Sequence, residues 1–333
     1  MRFGIRMPAT HSLQEMVGVV QRAEAAGFDA AWFPDSHLNY REVWTVLGAV
    51  AVSTDKIQIG PTVTNLVGRH VTITASAARA VAEAAPGRFI LGIGAGDSAV
   101  GFDGMRHSRL ADMEQGIGRL RALMAGGGVD FAGFEARLRG AENPAPIYVA
   151  GSGPKTLAMA GRIGDGVIVM GGNIADKIAH VRRGAAAAGR EAPAVHIYTT
   201  AAVVDDVERI ARQFKPYCMR IAELEGPGVF EAAGVPAPIV SDHVMGAQGD
   251  LGHSADVAAT AAEVDHLVSD ETALWFVRNC TMVGTGADIT AHLARFRDLG
   301  VAGVTMTQTA GNRLPDRLIE TLGPLTRQFA TGD

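Results

Sequence analysis

Apolar residues along this chain fall in short, near-continuous runs, each followed by a longer stretch with helical period. Residues 3–7 form the first run. Residues 12–26 then place apolar side chains on one helical face and end at Gly27, a residue suited to closing a helix. The unit repeats. Runs at 30–34, 57–63 and 88–94 precede helical stretches at 43–52, 74–85 and 110–125. Runs at 146–150 and 166–170 precede helices at 155–162 and 176–188. A seventh run covers 195–204 and an eighth 301–307, with a last helix over 315–329.

Strands that are apolar throughout, each with a helix after it, are what a parallel sheet covered on both faces requires. Eight such units predict a closed α/β architecture, a (β/α)8 TIM barrel. Residues 205–300 separate the seventh run from the eighth, so the largest insertion is expected there, at about 205–285. Its middle, 226–253, is rich in Gly, Pro and small residues, while 258–268 and 288–299 are helical in pattern. A smaller insertion is expected at 126–143. No linker or repeat divides the chain, so 1–333 is read as one barrel domain.

Composition narrows the function. A net charge of -5 offers no basic face for nucleic acid. No run of 18 apolar residues suggests a membrane span, and the opening MRFGIRMP lacks a leader pattern, so a cytoplasmic protein is expected. Cys218 and Cys280 lack CxxC spacing and read as buried thiols. His243, His253 and His266 lie among acids in the long insertion, but no HxH or HxxxH spacing sets two on one face, and no metal is expected.

In a barrel of this kind the chemistry sits at the C-terminal ends of the strands. Four of those ends carry candidates. Asp35 and His37 follow the second strand, where they could handle a proton or cap the next helix. The segment 60–65, GPTVTN, suggests a bulge that re-aims side chains or an edge irregularity. LGIGAGDSA at 91–99 has the glycine spacing of a dinucleotide fingerprint, but it follows the fourth strand, and Asp112 and Glu114, the acids at the expected distance, fall in a helix. GSGPKT at 151–156 presents backbone N–H groups and a helix start to an anion, or serves as a tight turn. No Gly-x-Ser-x-Gly elbow supports covalent hydrolysis.

Taken in order, these strand ends resemble the luciferase-like flavin- and deazaflavin-dependent oxidoreductases, in the branch that includes methylenetetrahydromethanopterin reductase. The carriers are AGFDAAWFPDSH (26–37), IGPTVTNLVGRH (59–70), GRFILGIGAGDSA (87–99), PIYVAGSGPKTLAMAGRIGDGVI (146–168) and GTGADITAHLARFRDLGVAGVTM (284–306). The resemblance implies coenzyme F420 across the strand ends, its phosphate against Gly151, Ser152, Gly153, Lys155 and Thr156. It implies a non-prolyl cis peptide at Thr62–Val63 behind the ring, ring contacts from Asp35, Asn65 and Gly96, and a carboxylate near the reactive face at Asp97. Several relatives place a histidine directly after the aspartate, whereas Ser36 intervenes here before His37.

The resulting expectation is hydride transfer between F420 and a small organic substrate (imine, enone, ketone or nitroaromatic), with Asp97, His37 or Asp35 handling the proton. Tyr40, Arg41, Trp44 and the long insertion are expected to shape the substrate pocket. The alternative is an FMN-dependent monooxygenase using O2 and a partner flavin reductase. A homodimer is expected from the same resemblance.

Overall fold

A computed structural model describes residues 1–96, 98–140, 144–240, 257–309 and 313–331. Its strands are β1 (Arg2–Arg6), β2 (Ala30–Phe33), β3 (Gln58–Pro61), β4 (Leu91–Ile93), β5 (Gly128–Phe131), β6 (Phe134–Arg137), β7 (Ile147–Ala150), β8 (Gly166–Met170), β9 (Ala194–Val203), β10 (Met282–Gly284) and β11 (Gly303–Thr307). All eight expected strands are present and pair in parallel in the order β3-β2-β1-β11-β9-β8-β7-β4. The ring closes between β3 and β4 through bridges at Ile59–Phe89 and Thr64–Ile93. At that seam Thr64 N–H donates to Gly92 O at 2.9 Å, and Gly94 N–H donates to Thr64 O at 2.9 Å. This is the (β/α)8 barrel that the pattern predicts.

Alternate strand residues point to opposite faces, and the two faces have different contents. Phe3, Ile5, Phe33, Ile59, Leu91 and Val149 belong to the large apolar cluster shared with the surrounding helices. Ala30, Trp32 and Ile90 form a separate small cluster with Tyr148. This inner set mixes large rings with glycines. A Cβ at Gly166 would lie 2.5 Å from the Tyr148 ring, one at Gly303 2.5 Å from His196 Nδ1, and one at Gly4 2.7 Å from Trp32 Nε1. The glycines are therefore the small partners that let bulky rings fill the interior.

The helices start where the sequence signals them. Helix Leu13–Ala26 opens on a capping box of Ser12 and Glu15 and closes at Gly27, whose φ of 93° is left-handed. Three strands escaped the pattern. In the smaller insertion β5 and β6 pair as an antiparallel hairpin. In the long stretch between β9 and β11, β10 pairs in parallel with the end of β9, Met282 opposite Ala201. The helices of that stretch build a second apolar cluster around Phe214, Cys218, Phe230 and Phe276. Cys218 and Cys280 are buried free thiols. Burial pushes both upward, Cys280 to about 12. Among the described residues, no helix is long and apolar enough to cross a membrane, and no group of three or more His, Cys, Asp or Glu is arranged to hold a metal. His243 and His253 lie outside those residues.

His196, packed at a tilt against Tyr148 with ring centroids 4.9 Å apart, sits inside the barrel. Burial, aided by Arg2, lowers it to about 4. An unfolded histidine titrates near 6.5, so between these values the unfolded chain binds more protons. The stability that neutral His196 allows is complete above about pH 6.5 and is lost as pH falls toward 4, by about 3 kcal/mol. Urea denaturation at pH 7 and pH 4.5 is expected to show a smaller loss in His196→Gln than in the parent chain. Equal losses would mean that His196 is not the titrating group.

Candidate active site

A cavity of about 500 Å³ opens at the C-terminal ends of the strands. Arg6 enters it from β1, Asp35 from the end of β2, Asn65 from the segment after β3, and Ile168 and Tyr198 from β8 and β9. Leu224 reaches it from helix Lys215–Glu225.

Asp35 is buried, with its side chain only 2% exposed. Its Oδ2 accepts from Thr64 Oγ1 at 2.6 Å and from Arg69 Nη1 at 2.5 Å. Arg69 Nη2 also donates to Glu42 at 3.0 Å, and the Glu42 side chain caps helix Val43–Ala51 through Thr45 N–H. The buried acid is thus tied through one guanidinium to the start of a helix. Taking such a carboxylate from water is tolerable only because a counter-charge and a hydroxyl donor meet it.

The segment after β3 forms the floor. The Thr62–Val63 peptide is cis. Thr62 lines the cavity, and its buried Oγ1 has no hydrogen-bond partner. Asn65 Oδ1 accepts from the N–H groups of Val67 and Gly68 at 3.0 and 2.8 Å. Those two bonds fix the amide's orientation and identify its Nδ2 side. The neighbouring glycines serve the seam. A Cβ at Gly94 would lie 2.6 Å from Val63 Cγ2, and one at Gly92 would strike the Pro61 carbonyl. Gly96 has φ of 88°, a left-handed conformation that side chains rarely adopt.

Across the cavity, helix Pro154–Ile163 begins at Gly153 without a side-chain cap. Gly151, Ser152, Gly153 and Thr156 all line the cavity. A helix start whose first N–H groups are uncapped is an anion site in both geometry and charge.

The structure therefore brings together Asp35, Thr62, Val63, Asn65 and Gly96 with Gly151, Ser152, Gly153 and Thr156. Other expected site residues stand apart from it. Lys155 is exposed and does not line the cavity. His37 is 41% exposed and pairs through Nε2 with Asp103 at 3.1 Å, away from the lining. None of Tyr40, Arg41 and Trp44 lines the cavity. Tyr40 is buried, its hydroxyl accepting from Arg6 Nη2 at 2.8 Å. Arg41 is exposed and reaches Ala9 O, and Trp44 packs at a tilt against Phe89. Of these three, Tyr40 bonds a residue of the lining, Arg6. Asp97 lies outside the described residues.

Arg6, Tyr198, His107 and Leu224 line the cavity without having been singled out from the sequence. For Arg6 the signal was available: in RFGIR it shares the phase of the inward Gly4 and ends its strand.

The luciferase-like monooxygenase family matches residues 1–303, and this chain belongs to that family. Among its relatives, the 5,10-methylenetetrahydromethanopterin reductase of Archaeoglobus fulgidus is 30% identical over 330 residues, 95% of each chain. That of Methanolobus tindarius is 28% identical over 324 residues, covering 93% of this chain and 95% of the relative. The solved structure of the coenzyme F420 dependent tetrahydromethanopterin reductase from Methanopyrus kandleri superimposes with a TM-score of 0.73 at 22% identity, over 97% of both chains. At that identity the superposition speaks to the fold.

Replacing Arg69 by Met leaves Asp35 buried without its counter-charge, at an expected cost of about 2–4 kcal/mol. Glu42→Gln weakens only the exposed half of the chain of contacts and is expected to cost less than about 1 kcal/mol. Urea midpoints of the two variants test the difference, and similar shifts would contradict a buried pair at Asp35.

Proposed function

We propose that this protein is an F420-dependent oxidoreductase that transfers a hydride between the deazaflavin coenzyme and a small organic substrate. One observation carries the reading: a single cavity joins an uncapped helix start to a floor where the buried Thr62 Oγ1 has no partner, in a chain similar along nearly its whole length to reductases. The residues present fit such a group. The orphaned Thr62 Oγ1 and the oriented Asn65 Nδ2 can meet the polar edge of a planar ring. Ser152, Gly153 and Thr156 with the helix start can hold its phosphate, and exposed Lys155 adds positive charge nearby.

When bound, the deazaflavin supplies a carbon centre that gives or takes a hydride with its electron pair. The protein's part is to bind, orient and handle the proton. Val63, with Gly94 leaving room behind it, supports the ring on one side. Asp35 is occupied by Thr64 and Arg69, so its role is to shape the wall and not to shuttle protons. His37 is engaged by Asp103 away from the cavity. The proton role therefore falls to Asp97, between lining residues Gly96 and Ala99 in sequence. Arg6 and Tyr198 supply donors on the substrate side, suited to a carbonyl, imine or nitro oxygen or nitrogen as charge develops on it. The expected substrate is accordingly an imine, enone, ketone or nitroaromatic.

Fluorescence titration tests the cofactor directly. F420 is expected to bind with a Kd near or below about 1 μM, roughly -8 kcal/mol, and FMN much more weakly. Tight binding of FMN alone would sink the proposal. Asp97→Asn is expected to keep F420 affinity within a few fold while turnover falls by about 100-fold or more, the usual scale for losing an acid-base group. Unchanged turnover would remove Asp97 from the mechanism.

A further inference from the structure

A second cavity, of about 410 Å³, adjoins the first and shares His107 with it. It lies between the segment after β3, the start of helix Leu110–Met124, and Phe131 at the tip of the β5–β6 hairpin. Its charged lining is one-sided: Arg106, Arg109 and Arg119, with His70 and His107, face the single acid Asp112. Phe131 organises part of this wall. The Arg119 guanidinium stands over its ring at 5.3 Å, and the His70 ring is 5.1 Å from it. The helix start adds to the same field, because its N-cap, Arg109, makes no side-chain capping bond.

Among the described residues, none of Arg106, Arg109 and Arg119 makes an ion pair. Three guanidinium groups around one groove repel each other, and a guest with several negative charges relieves that repulsion. A single compact anion would use one end of the groove, whereas an extended chain of anionic groups would use its length. The shared His107 sets the groove beside the cavity where the cofactor is proposed to sit.

We propose that this groove binds the anionic tail of the coenzyme. F420 carries, beyond its phosphate, a chain of linked glutamates, and each adds a carboxylate that a guanidinium can receive. This inference rests on the F420 reading given above and adds to it a site for the tail. The β5–β6 hairpin, which has no counterpart in the eight-strand pattern, serves that site by bringing Phe131 to the wall that holds Arg119.

The test compares three ligands on the full-length protein: F420 with several glutamates, F420 with one, and the riboflavin-like deazaflavin that lacks both phosphate and tail. In Arg109→Gln/Arg119→Gln, affinity for long-tailed F420 is expected to fall by about 5- to 20-fold, as for the loss of two charge-assisted contacts. Affinity for the tail-less deazaflavin should stay within about twofold. Arg119→Lys keeps the charge and should retain most of the affinity, and an unchanged melting midpoint excludes a folding defect. Wild-type affinity for long-tailed F420 should also fall more steeply with salt than that of the double variant.

Parallel losses for all three ligands, or no loss for any, would overturn the tail site while leaving the F420 reading intact. A raised substrate KM with unchanged F420 affinity would assign the groove to an anionic substrate and overturn the tail site as well. Failure of the wild-type protein to bind any of the three would overturn the F420 reading and the groove with it.

Discussion

This barrel closes at one seam, and it closes there because side chains are missing. A Cβ on Gly60 would strike the Ile90 carbonyl, and one on Gly92 would strike the Pro61 carbonyl. Elsewhere the wall is held by continuous parallel ladders. Between β3 and β4 there are two bridges, and the backbones approach so closely that glycine alone fits at these positions. The site depends on that approach. It lets Thr64 bond both sides of Gly92–Gly94, it sets Val63 against Gly94, and it brings Thr64 within 2.6 Å of Asp35.

The electrostatics of the cavity follow from what the seam delivers. Asp35 is already balanced by Arg69, so it brings little free negative charge to the mouth. The remaining described polar groups are mostly donors: the Asn65 amide, the helix start at Gly153, and Arg6 beside Tyr40 and Tyr198. A cavity so equipped suits an electron-rich guest with a phosphate at one end. The neighbouring groove extends the same polarity over a second set of loops.

Much of the fold was legible because a parallel barrel writes its pattern in long apolar runs. The period gave the eight strands and the helices between them, and Gly27 marked the end of the first helix. The three-residue β10 and the β5–β6 hairpin were not legible, since neither is long enough or apolar enough to stand out from the helices around it. Among the strand-end residues, Asp35, Asn65, Gly151, Ser152, Gly153 and Thr156 line the cavity. Tyr40, Arg41 and Trp44 do not line that cavity, because proximity in sequence to a strand end does not say which side chains face it. Arg6 was not legible as a site residue because it closes a strand and stands on no loop, although its phase within β1 points inward. The glycines of LGIGAGDSA carry a different message from the one their spacing suggests. Gly92 and Gly94 answer to the adjacent strand, and Gly96 lines the cavity.

The helices between β9 and β11 pack around Phe214, Phe230 and Phe276 in a cluster separate from that of the barrel wall, yet they send Leu224 to the cavity. Changes in that cluster can therefore alter the roof over the substrate while the barrel's own packing stays as it is. A lineage carrying this architecture is free to reshape the roof by drift in one compact group of helices, with the cavity floor and the closing seam unaffected beneath it.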